Sequence, residues 1–123
     1  MIDAERVDFL LIPTRDFERA TRFYGDTLGL PRSNDSSAWA EFETGNLTLA
    51  IPNPEHVPME FKPLPPAAVA LRVPDVAEAR AKLEGAGVEF GGDVIDSGVC
   101  HMAFFEDPDG NGLMLHRRYA PQD

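Results

Sequence analysis

Residues 8–30, DFLLIPTRDFERATRFYGDTLGL, and residues 68–90, AVALRVPDVAEARAKLEGAGVEF, follow one plan. Each begins with an apolar run, reaches an aspartate, continues amphipathically and stops at a glycine. This internal repeat constrains the chain more than any other feature. Asp16 and Asp75 stand where a helix N-cap belongs, with carboxylates able to accept backbone N–H bonds of the first turn. Glu78 follows Asp75 at capping-box spacing. Apolar side chains then recur at helical spacing, as Phe17, Ala20, Tyr24 and Leu28 in one copy and Val76, Ala79 and Leu83 in the other. Gly29 and Gly87 suit the left-handed residue that closes a helix.

Each copy runs on into strands. Residues 37–51 alternate around a Thr-Gly-Asn turn, and residues 99–116 around Asp-Pro-Asp-Gly-Asn. Proline second and glycine fourth favour a type I turn there. A weaker strand signal lies near Pro31–Asn34 and near Val88–Val94. The stretch IPNPEHVPMEFKPLPP, residues 51–66, has too many prolines for a regular helix or a central strand. The expected fold is α+β: two β-α-β-β-β repeats forming a curved mixed sheet around a cleft, helices outside. Residues 1–123 are expected to be a single domain, with repeat one at about 6–51, a Pro-rich linker at about 52–66 and repeat two at about 67–118.

Composition narrows the partners. A formal net charge of −10 repels phosphate backbones, so nucleic acid is not expected. No segment reaches the ~20 apolar residues that span a bilayer, and the start MIDAERVDF lacks an apolar signal core. The single cysteine, Cys100, fits a reducing cytoplasm.

The pattern Asp16-x3-Ala20-x2-Phe23-Tyr24-x3-Leu28-Gly29-Leu30, with Asp107-Pro108-Asp109-Gly110-Asn111 before an apolar strand, resembles the vicinal oxygen chelate superfamily over roughly residues 6–118. That group includes glyoxalase I, extradiol dioxygenases, fosfomycin-resistance transferases and bleomycin-resistance binding proteins. The resemblance implies the fold and leaves the reaction open. It also implies a divalent metal held by a histidine on the first strand of a repeat and a glutamate on its last. Carried over, the first-strand position lies seven residues before each capping aspartate, at Phe9 and Ala68. The last-strand position lies three residues past Asn111, at Met114, and aligning NLTLA with GLMLH puts its counterpart at Thr48. Phe, Ala, Met and Thr are not a usual set for zinc, iron(II) or manganese, so no metal and no cofactor is expected.

Strand alternation then predicts the cleft lining: Phe9 and Leu11; Ala68, Ala70 and Arg72; Trp39, Glu41, Thr48 and Ala50; and Cys100, Met102, Phe104, Met114 and His116. A mostly apolar, aromatic pocket with a few polar groups suits a small organic ligand. Trp39 offers a stacking surface or fills the core. Methionine at position 114 adapts to irregular ligands. Glu41 either serves the site or pairs with Arg72, and Arg72 either caps an anionic group or lies in solvent. His116 acts as a base or sits on the rim. Cys100 and His101 are neighbours on a strand and should point to opposite faces.

The leading expectation is a metal-independent binder of a small aromatic or apolar molecule, and the negative charge favours a cationic guest. The alternative is an enzyme with a rebuilt site. It could be a lyase, isomerase or dioxygenase type using a shifted metal set of Glu41 and His116 with His101, His56 or Glu60. It could equally be metal-free, with His116 or Glu41 as base. A third reading is a structural or regulatory dimer with a vestigial cleft. A homodimer is expected, because the resemblance implies it and because short repeat sheets leave open edges.

Overall fold

A computed structural model describes residues 1–121. The order is β1 (Leu10–Leu11), α1 (Phe17–Arg22), β2 (Trp39–Glu43), β3 (Thr48–Pro52), β4 (Val69–Arg72), α2 (Val76–Gly85), β5 (Phe90–Asp96), β6 (Cys100–Glu106) and β7 (Gly112–Arg118). Two compact units result, Met1–Lys62 and a second from Pro63 onward. The class is α+β, and strand pairing stays inside each unit. The expected mixed sheet is therefore two mixed sheets, in the orders β1-β3-β2 and β4-β7-β6-β5. Neither helix among the described residues is long and apolar enough to cross a membrane.

In the first unit the Asp16 carboxylate accepts from the Arg19 N–H at 3.1 Å, the N-cap bond expected from sequence. The helix then widens. Residues Phe23–Thr27 form a π-helical turn, and the Leu28 N–H donates to the Phe23 carbonyl at 2.8 Å. Phe23 and Tyr24 both bury in this turn. Gly25 leaves room for the Phe42 ring, which would lie 3.2 Å from a Cβ there. Gly29 takes φ 75° and ends the helical course. The weak strand signal near Pro31–Asn34 becomes a single antiparallel bridge, Arg32 to Phe42.

β3 is the centre of its sheet, parallel to β1 and antiparallel to β2. The core includes Ile12, Ala20, Phe23, Tyr24, Ala40, Phe42, Leu49, Ala50 and Ile51. Each large apolar side chain among them adds about 1.5–3 kcal/mol. Against the expectation for the proline-rich stretch 51–66, Ile51 and Pro52 still belong to the central strand β3, while residues 53–66 hold neither helix nor strand.

The second unit realises the full β-α-β-β-β order. Asp75 Oδ1 accepts from the Glu78 N–H at 2.9 Å. The Glu78 carboxylate lies 3.9 Å from Lys82 Nζ, so the residue serves an i,i+4 pair as well. α2 closes with the Val88 N–H on the Leu83 carbonyl and the Gly87 N–H on that of Glu84, with Gly87 at φ 95°. That is the Schellman arrangement.

The β6–β7 hairpin carries the DPDGN turn, closed by the Gly110 N–H on the Asp107 carbonyl at 3.0 Å. Asp107 is buried and accepts from Asp109 N, Asn111 N and Asn111 Nδ2. Asn111 Oδ1 in turn accepts from the Leu64 N–H at 2.8 Å. The turn thus anchors the proline-rich segment entering β4, and Gly112 lets it pass. A Cβ at residue 112 would lie 2.5 Å from Pro66 Cα and 2.7 Å from Ala67 N, and closer still to Pro65 O.

Candidate functional site

Each sheet has one face covered by its helix and an opposite, open face whose side chains are mostly half-buried, with Ala50 fully buried. In the first unit the Tyr24 ring packs on Phe42 at 6.2 Å, so α1 covers the face of Ala40, Phe42, Leu49 and Ile51. Register and alternation put Leu11, Trp39, Glu41, Glu43, Thr48 and Ala50 on the opposite face. Phe9 joins them, meeting Trp39 edge-to-face with ring centroids 5.3 Å apart and planes at 86°. The Trp39 Nε1–H donates to Glu41 Oε2 at 3.0 Å, which orients the indole. Glu43 accepts from Ser33 Oγ at 2.6 Å and from Thr48 Oγ1 at 2.7 Å. These hydroxyls, Ser33 foremost, hold its carboxyl below the ordinary carboxylate value.

In the second unit Arg80 of α2 lies over the Phe90 ring at 5.0 Å, and Phe90 packs on Phe105 at 4.9 Å. α2 therefore covers the buried side chains Val69, Ala103, Phe105, Leu113 and Leu115. The open face carries two rows across the strands: Ala70, Met114 and Phe104, then Arg72, His116 and Met102. Cys100 shares that face by alternation. Met114 is buried at 8 % exposure, while Arg72 is exposed and Cys100, Met102, Phe104 and His116 lie between. Ala68 is exposed just before β4.

His101 points the other way from Cys100, as alternation requires. It sits 3.4 Å from Asp96 Oδ2 and packs on the Tyr119 ring at 4.6 Å. Tyr119 donates its hydroxyl to Asp96 Oδ1 at 2.7 Å. That bond is the main cause holding the Asp96 carboxyl below its ordinary value and the Tyr119 phenol above its own. His116 and His101 thus lie on opposite faces of one sheet and cannot close on one ion. Among the described residues no three His, Cys, Asp or Glu side chains gather as a metal site. His56 and Glu60 are exposed.

Sequence reasoning missed Glu43 and the Asp96–Tyr119–His101 cluster. Glu43 has the parity of Glu41 in WAEFE, so alternation alone would have found it. The cluster joins Asp96, at the end of β5, to Tyr119, 23 positions away, which no local pattern reveals.

The family model described as the Glyoxalase/Bleomycin resistance protein/Dioxygenase superfamily matches residues 6–115. The chain belongs to this superfamily. Solved structures of similar shape agree. TnmS3, an antibiotic binding protein from Streptomyces sp. CB03234, is 25% identical with a TM-score of 0.77, covering 96% of this chain and 99% of that one. A superfamily member from Sphaerobacter thermophilus is 25% identical with a TM-score of 0.78, covering 92% and 97%. Lactoylglutathione lyase from Agrobacterium tumefaciens shares the fold at 15% identity and a TM-score of 0.72, covering 92% and 93%. No curated protein matches the sequence.

The glyoxalase relationship implies a divalent metal, and the donor chemistry can be tested. Phe9, Thr48, Ala68 and Met114 present a phenyl ring, a hydroxyl, a methyl and a thioether. The hydroxyl is already engaged with Glu43. These side chains do not fit a hard divalent ion.

Proposed function

We propose that this glyoxalase-superfamily chain is a metal-independent binder of a small aromatic or apolar organic molecule. The observation that carries the reading is the Phe9–Trp39 pair on the open face, with Phe9 at a position where the resemblance implies a metal ligand. Aromatic rings and thioethers give a guest contact area without a cation. Leu11, Glu41 and Thr48 share the open face of the first sheet. Arg72, Cys100, Met102, Phe104, Met114 and His116 share that of the second. These are the proposed binding residues. The antibiotic binding described for TnmS3 supports a binding role.

Trp39 is the only tryptophan, so its fluorescence reports on this face alone. Titration with a panel of aromatic antibiotics should quench it, and Trp39→Ala should weaken binding by tenfold or more, on the order of 1.4 kcal/mol. Stoichiometric zinc, iron or manganese in protein purified without chelators would overturn the metal-independent part. His116, half-buried beside Met102 and Arg72, supports a second reading, a metal-free lyase or isomerase with His116 as base. Any turnover found should then vanish in His116→Ala.

We also propose a cytoplasmic homodimer. The outer edges of β4 and β5 are unpaired within their sheet, and Ile95 and Val99 are 47 % and 39 % exposed. Light scattering at micromolar concentration checks it, and a monomer mass would count against it.

A further inference from the structure

The open face of the first sheet is specific about charge. Trp39 is held by its N–H bond to Glu41, so a carboxylate is fixed at the rim of the indole. Phe9 meets the same indole with the two ring planes at 86°. Glu43 lies two residues further along the strand on the same face, kept ionised by Ser33 and Thr48. Among the described residues neither glutamate is ion-paired. Glu41 keeps one oxygen beyond the Trp39 bond. An aromatic face attracts a cation through its quadrupole, and an unneutralised carboxylate beside it adds direct attraction. An anionic guest would meet repulsion from both glutamates and from a chain of net charge −10.

We propose that this face selects guests whose aromatic or apolar body carries a cationic nitrogen, with Trp39 and Phe9 contacting the body and Glu41 the charge. The proposal rests on the binding reading above and adds the class of guest.

Three probes of one shape separate the two: 2-naphthylmethylammonium, the neutral 2-naphthalenemethanol and the anionic 2-naphthoate. The Trp39 indole N–H gives a single resonance in a nitrogen–proton correlation spectrum, and its shift reports each dissociation constant. The ammonium should bind roughly tenfold tighter than the alcohol, the naphthoate weakest, and the ammonium preference should shrink as salt rises. Glu41→Gln keeps an oxygen acceptor for Trp39 but removes the charge. Its indole resonance should stay near the wild-type position while the ammonium preference falls to about threefold or less. Glu43→Gln should reduce the preference in the same direction and by less.

Equal affinity for ammonium and alcohol, or an undiminished preference in both glutamine variants, would overturn the cation proposal and leave the binding reading standing. If no probe moves the indole resonance at millimolar concentration, the binding reading of this face fails and takes the proposal with it.

Discussion

At the scale of single residues, Gly112 and Asn111 do more than their size suggests. Asn111 is fully buried and ties the DPDGN turn to the Leu64 N–H. Gly112 then lies against the backbone of Pro65, Pro66 and Ala67, which cannot yield as a side-chain tip would. Gly112→Ala should cost about 3 kcal/mol or more, read as a lower urea midpoint. Asn111→Ala should cost about 2 kcal/mol, because it strips the buried Asp107 of a donor and takes the acceptor from the part-buried Leu64 N–H. The turn was legible from the string Asp107-Pro108-Asp109-Gly110-Asn111. Its partner segment was not, since Leu64 lies 47 positions from Asn111.

At the scale of elements, the helix starts are local and the helix courses are not. Asp16 and Asp75 cap as their positions imply, each through one carboxylate oxygen. Asp75→Ala should destabilise by about 1 kcal/mol, and Asp16→Ala by a similar amount, in equilibrium urea denaturation. An effect near zero for both would mean that solvent serves those first-turn N–H groups equally well. The π turn at Phe23–Thr27 was not legible, because a regular 3.6-residue pattern fits Phe17, Ala20, Tyr24 and Leu28 equally well. It accompanies the burial of the consecutive rings Phe23 and Tyr24, the second of them packed on Phe42, a tertiary demand. For the same reason the residue 31–34 signal gave only the Arg32 bridge, while its counterpart in the other repeat grew into the seven-residue β5.

At the scale of the whole molecule, stability against pH follows from the shifted groups. Depressed carboxyls at Asp96 and Glu43 stabilise the fold above their ordinary values of 3.8 and 4.5, and that stability is lost as pH falls through their folded values. The raised Tyr119 phenol stabilises below its ordinary 10.0, and its contribution is lost as pH rises through the folded value. Tyr119→Phe removes the shared bond to Asp96. Its melting temperature should lie below wild type between about pH 4 and 10 and converge with it at either extreme. A gap that persists unchanged once the pH lies below the folded Asp96 value would show that the loss does not come from the bond to the ionised carboxylate.

The repeat, the caps, the hairpins and the partition of each strand into two faces were all written in the sequence by itself. Each depends on period and on short-range hydrogen bonding, which adjacent residues specify. Only the tertiary structure decided which open-face groups are engaged and by what. Trp39 gives its N–H to Glu41, Thr48 is claimed by Glu43, and His101 is drawn to Asp96 and Tyr119, away from His116. Those pairings are settled by distances between side chains that packing creates, and a linear pattern of polar and apolar residues holds no such distances.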